Sequence, residues 1–166
     1  MGWLSAMSVR LVGESPAIVA ALTAQGAALV DEGDADVLIH VAAPTLAKPA
    51  HELSHAEWRA SLYAGLDQRF MLAKEFAAAQ RALGKGGSVV FVGATEQALG
   101  SDHAAAAGAL GNLTKTLGVE WARDGIRVNT VLTSADDATL GNLVAYLASD
   151  YAAYITGAVM GIGLDD

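Results

Sequence analysis

The side chains that could move a proton or hold a metal are few and scattered. Histidines stand at 40, 51, 55 and 103, and there is no cysteine. Disulfides, thiolate nucleophiles and thiolate metal sites are thereby excluded. His51 and His55 are four apart, but Ser54 reads as a helix cap between them, which takes them off a shared helical face and argues against a metal site. Asp136-Asp137 and Asp165-Asp166 read as solvated turn and tail charges rather than paired catalytic carboxylates. His103 remains. An imidazole there could relay a proton, or simply stand at the end of a helix.

The elements that must position these groups centre on Gly86 to Val131. Ser88–Val92 (SVVFV) is a short apolar, β-branched run after a double glycine and reads as a buried strand. From about His103 to Arg123 no proline intervenes, and Leu110, Leu113, Leu117 and Trp121 form one apolar helical stripe. Ser101 or Asp102 can cap its start, and Gly125 sits just past its end. Ile126–Leu132 (IRVNTVL) is a second buried strand, so strand, helix and strand form a crossover in a parallel sheet.

Earlier in the chain, Ser8–Val12 is a strand. Ser15-Pro16 caps and opens a helix to about Gln25, and Ala27–Val30 is a strand. Asp31–Ala35 is a polar turn before a further strand, Val37–Ala42. Ser54 and Glu57 form a capping box, and the helix after it runs to about Leu83, with Trp58, Leu62, Leu66, Phe70 and Phe76 among its apolar positions. Gly65 within it marks a bend or a close packing site. Thr139–Ser149 is a last helix with Leu140, Leu143, Val144 and Leu147 on one side. The chain has room for one domain, residues 1–166. Its charge of −8, from 18 acids and 10 bases with no basic cluster, argues against nucleic acid. No apolar run reaches the ~18 residues of a membrane span. The start, MGWLSAMSVR, lacks the basic and apolar regions of a secretory signal, and a cytoplasmic location is expected.

GGSVV, LTKTLGVEWA, GIRVNTV, DVLIHVAAP and LVAYLASDYAAYITGAVM together resemble the short-chain dehydrogenases/reductases. The resemblance implies a three-layer α/β/α sandwich, Rossmann-like, here with a parallel sheet of about six strands. His40 to Ala43 fall over the family's NNAG. Five residues, Asp31–Ala35, stand where the family has a further strand and helix, so this sheet has lost both. Of the family's TGxxxGxG only Gly13 survives, followed by Glu14, a carboxylate where a pyrophosphate would sit. Carried over one by one, the catalytic asparagine falls on Gly65, the serine on Ala94 (or on Thr95, the loop to His103 being about four residues short), the tyrosine on His103 and the lysine on Ala107. His103 thus lacks the lysine, serine and cofactor loop that would make it a family acid. Thr133-Ser134 replaces PG, and the segment that closes over substrate is absent.

What the resemblance retains are the family's assembly faces: the helix of Leu66–Leu83 with the long helix, and the last helix and strand, Thr139–Met160. Phe70, Phe76, Gly108, Gly111, Trp121, Tyr151 and Tyr154 are the candidate interface residues. The small residues of the long helix fit close packing on the chain's own sheet equally well. The expected role is a non-catalytic subunit that pairs with an active full-length relative. Such a chain binds no cofactor or metal itself and leaves NAD(P) to its partner. A stand-alone enzyme with altered chemistry and a self-assembling small-molecule binder are the alternatives.

Overall fold

The computed structural model describes residues 2–43, 47–95 and 100–162. The tail pair Asp165-Asp166 lies outside the described residues. Six parallel strands form one sheet in the order β2-β1-β3-β4-β5-β6. The strands are β1 (Ser8–Val12), β2 (Ala28–Val30), β3 (Val37–Val41), β4 (Gly87–Ala94), β5 (Ile126–Thr133) and β6 (Val159–Ile162). The helices are α1 (Pro16–Ala24), α2 (His55–Leu62), α3 (Gln68–Leu83), α4 (Ser101–Glu120) and α5 (Ala138–Ala148).

Alternation along β3 explains the layers. Val37 and Ile39 join Val9, Val90, Val92 and Val131 in a core under Ile18 and Leu22 of α1 and Leu140, Val144 and Leu147 of α5. Leu38 points the other way, with Val89, Phe91, Ile126 and Val128, under Ala73 and Ala77 of α3 and Leu110, Leu117 and Trp121 at α4. The expected three-layer sandwich of about six strands is what forms.

β2 and β3 flank β1, yet only Asp31–Asp36 join them. A parallel crossover ordinarily takes a dozen residues or more. Six suffice here because β2 is three residues long and Val30 ends level with Arg10, one place along from the Val9–Val37 pair. The link therefore climbs back almost nothing and has only to pass two strand spacings, about 10 Å.

Two local expectations change, at the start of α4 and on the face of α3, while the one at Gly65 is met. Gly100, not Ser101 or Asp102, takes the cap position of α4, and both lie within the first turn. α2 and α3 are joined by a wide π-type turn at Tyr63–Asp67, where Gly65 sits against Ala106 so closely that a Cβ would come within 2.8 Å of its methyl. The face of α3 that meets the sheet carries Arg69, Ala73, Ala77 and Gln80, whereas Phe70 is exposed. The alanines let α3 settle close to the strands, which turns the large apolar residue outward. The capping box at Ser54 and Glu57 forms as read, with each residue bonded to the other's backbone N–H.

Candidate functional site

The chain leaves β1 toward one sheet edge, returns to β3 and continues toward the other edge, so the sheet's switch point lies between β1 and β3. Ligands of open α/β sheets bind outside the carboxyl ends of the strands at such a point. The cleft found there has two ends. Gly65, Ala94, His103 and Ala107, far apart in the chain, line one small cavity of about 50 Å³ together with Arg69 and Gly93. That cavity adjoins a wider space of about 420 Å³ bounded by Val12, Glu14, His40, Val41 and His103.

Arg69 lines the inner cavity, His40 the wider space, and Asp102 stands beside His103, which lines both. Asp102 is buried and accepts a hydrogen bond from the Ser61 hydroxyl, and its Oδ2 lies 3.5 Å from Nε2 of His103. Burial raises the Asp102 pKa, but the Ser61 hydroxyl and the backbone amides of His103 and Asp102 outweigh it and hold the group below the usual carboxylate range. Arg69 is 2% exposed. It donates from Nη2 to the Val92 carbonyl at 2.8 Å and stands over the Phe91 ring, 6.0 Å from its centroid. Among the described residues no carboxylate pairs with it, and burial lowers its pKa to about 10, which leaves it charged at neutral pH. His40 is 5% exposed, and burial, then the charge of Arg69, push its pKa down to about 4. The sequence marks Asp102 only as a candidate helix cap and does not mark Arg69 at all. The adjacent Asp102-His103 pair was the one available signal.

At the outer end, beside an open space of about 480 Å³ lined by Glu14, Ser15, Pro16 and Asp136, the chain supplies its own partners. Gly13 holds φ +93 with its α-carbon against the Val41 carbonyl, leaving no space for a side chain. Ser15 caps α1 by accepting from the Ile18 N–H at 3.1 Å. Its hydroxyl donates to Asp136, whose second oxygen lies 3.4 Å from the Ala17 N–H. The Asp136 carboxylate therefore occupies the anion-attracting N-terminus of α1, where this fold places a pyrophosphate. Pro16 removes one further N–H from that helix end. With Glu14 beside it, the residues do not fit a dinucleotide. Asp136 is exposed in its turn, as expected, but there it also binds Ser15, and Asp137 caps α5 by accepting from the Thr139 and Leu140 N–H groups.

Of the other expected sites, His51 lies in a short turn and His55 opens α2. Among the described residues no group of three potential ligands could hold a metal ion, and no helix is long and apolar enough to cross a membrane. Trp121 and Phe76 belong to this chain's own core rather than to a surface seam, because both pack beneath β4 and β5. Phe70, Tyr151 and Tyr154 are exposed, Tyr151 making an edge-on contact with Trp3. A Cβ on Gly108 would meet open space and one on Gly111 would touch only Val159. The close approach on α4 is instead at Gly118, where a Cβ would come within 2.5 Å of the Gly157 nitrogen.

Comparison with known proteins agrees with this architecture. The family described as enoyl-(acyl carrier protein) reductase matches residues 14–139. Cis-4-hydroxycyclohexanecarboxylate dehydrogenase of Sinomonas cyclohexanicum is 31% identical over 87% of this chain and 70% of its own length. The BbsC subunit of (2S)-[(R)-hydroxy(phenyl)methyl]succinyl-CoA dehydrogenase of Thauera aromatica is 29% identical over 94% of this chain and 77% of its own. A short-chain dehydrogenase/reductase structure from Burkholderia xenovorans shares the fold, with a TM-score of 0.87 at 18% identity, over 98% of this chain and 96% of that one. The chain belongs to the short-chain dehydrogenase/reductase family.

Proposed function

We propose that this chain is a non-catalytic subunit that associates with an active, full-length short-chain dehydrogenase/reductase and supports its assembly or active site, NAD(P) being carried by that relative. The observation that carries this reading is Asp136 on the N-terminus of α1, an internal carboxylate where the cofactor's pyrophosphate would otherwise bind. Gly65 and Ala107, where the resemblance places the asparagine and the lysine, support the same reading, since neither side chain can donate or accept a proton. One relative is itself named as a subunit of a dehydrogenase. Tyr63, Phe70 and Met71 on the α2–α3 side and Val119 on α4 supply exposed apolar area to such an assembly.

Two measurements on the purified proteins test this. Calorimetric titration of the chain alone with NADH and NADPH should show no binding, and a low-micromolar dissociation constant would overturn the reading. Co-expressed with a relative that carries the glycine-rich loop, the chain should elute as a dimer or mixed tetramer. A monodisperse species of 16.9 kDa in light scattering, with the relative present, removes the case for a subunit.

A second reading, an enzyme of altered chemistry acting alone, draws on the Asp102–His103 pair at the cavity. A carboxylate behind an imidazole is a workable proton relay. Turnover by the isolated chain that disappears in His103→Ala would favour it.

A further inference from the structure

Folded interiors satisfy nearly all of their buried polar atoms, so a cluster of exceptions needs an explanation. Among the described residues four buried side-chain atoms find no partner: His40 Nδ1, Arg69 Nε, Asp102 Oδ1 and Gln80 Oε1. Arg69 lines the inner cavity and His40 the space that adjoins it, while Asp102 stands next to His103, which lines both. Arg69 is the most costly of them. Taking a guanidinium out of water is expensive unless a counter-charge repays it. One acceptor, the Val92 carbonyl, and an aromatic face do not supply a charge.

From this arrangement we infer that the inner cavity is a binding site for a small carboxylate, with Arg69 as its counter-charge and His103 beside it. The dimensions fit. One water takes about 10–15 Å³ of such space, so 50 Å³ holds a carboxylate head group and little more. The adjoining 420 Å³, faced by Val12, Val41 and Ala64, receives an uncharged apolar body such as a short acyl chain or a single ring. Glu14, at the far end of that space, disfavours a second negative charge on the ligand. A guanidinium offers several N–H donors in a fixed plane, the geometry that suits a carboxylate. The site needs neither cofactor nor partner, so it stands whether the chain acts as a subunit or alone.

Benzoate and benzamide, alike in shape and different in charge, are the probes. Their binding is followed in the purified full chain at pH 7 by the imidazole resonances of His40 and His103, up to about 20 mM ligand. Benzoate should shift both saturably, and benzamide should bind at least about tenfold more weakly. Arg69→Met should abolish the difference between the two. Should that variant not fold, Ala94→Leu, which fills the cavity and leaves Arg69 in place, should abolish benzoate binding. Equal affinities for acid and amide, no saturable shift within the range, or benzoate affinity within about twofold of the parent in both variants would each overturn the assignment.

Discussion

The two ends of one cleft are built on opposite terms. At the α1 end Ser15 meets Ile18 and Asp136, and Asp136 meets Ala17, all from the same chain. At the α3–α4 end, Arg69, His40 and Asp102 each keep an atom without a partner, although all three residues are buried. On the readings proposed above, the first end is a pyrophosphate's place taken by Asp136, and the second the site for a carboxylate. Loss of the family's catalytic residues alone would not distinguish them, since glycine and alanine replace polar groups at the inner end while polar groups persist at the outer. Satisfaction of hydrogen bonds separates the two more sharply than residue identity.

The largest effect that would sharpen this contrast lies at the inner end and depends on pH. His40 holds a folded pKa of about 4 against an ordinary 6.5, because burial and then Arg69 disfavour its charged form. The unfolded chain takes up a proton below pH 6.5 that the folded chain refuses until about pH 4. Stability contributed by the neutral imidazole is thus complete above pH 6.5 and is lost as pH falls toward 4, by up to about 3 kcal/mol. Urea unfolding at pH 7 and pH 4.5 should show the fall, and His40→Leu should remove that part of it. Equal loss in parent and variant would mean that the imidazole is hydrated and that the inner end is as well satisfied as the outer.

A smaller effect is expected at the α1 end. Asp136→Ala removes the acceptor of the Ser15 hydroxyl and the charge at the helix N-terminus, and should cost about 1–2 kcal/mol in urea unfolding at pH 7. Asp136→Asn, which keeps an acceptor, should cost less. If Asp136→Ala costs under about 0.3 kcal/mol, the carboxylate only rests on the helix and does not close the site.

Much of the fold was legible because strands and helices advertise themselves locally. The apolar runs at Val37–Val41 and Gly87–Ala94, the capping box at Ser54 and the left-handed glycine at Gly125 each depend on a few adjacent residues. The meeting of His103 with Ala107 on one cavity wall was legible too, since fixed spacing along α4 ties the two together. What escaped depends on meetings across the chain. Ser15 and Asp136 are 121 residues apart, and Ser61 and Asp102 are 41 apart. Periodicity states that one face of a helix is buried but does not choose between a stripe of large residues and a stripe of small ones. On α3 that choice put Phe70 outside and Arg69 inside, because two alanines let the helix lie close to the sheet. The buried guanidinium follows from that packing and leaves no mark in composition.

The smallest effect tests whether either end can recruit the cofactor by itself. Ala107 is half-buried on the wall of the inner cavity, one helical turn from His103, where the sequence resemblance places the family's lysine. Ala107→Lys restores an ammonium on a long stem that can reach toward water. Lysine is nearly as good a helix former as alanine, so stability should change by no more than about 0.5 kcal/mol. NADH affinity should stay within about twofold of the parent, because the pyrophosphate's place is still held by Asp136 and flanked by Glu14. The same lysine added to a Glu14→Gly, Asp136→Ser background meets a helix end from which both carboxylates are gone, and only there should calorimetry detect the dinucleotide. Micromolar NADH binding by Ala107→Lys alone would show that the inner end governs cofactor capture and that the internal carboxylate is no barrier.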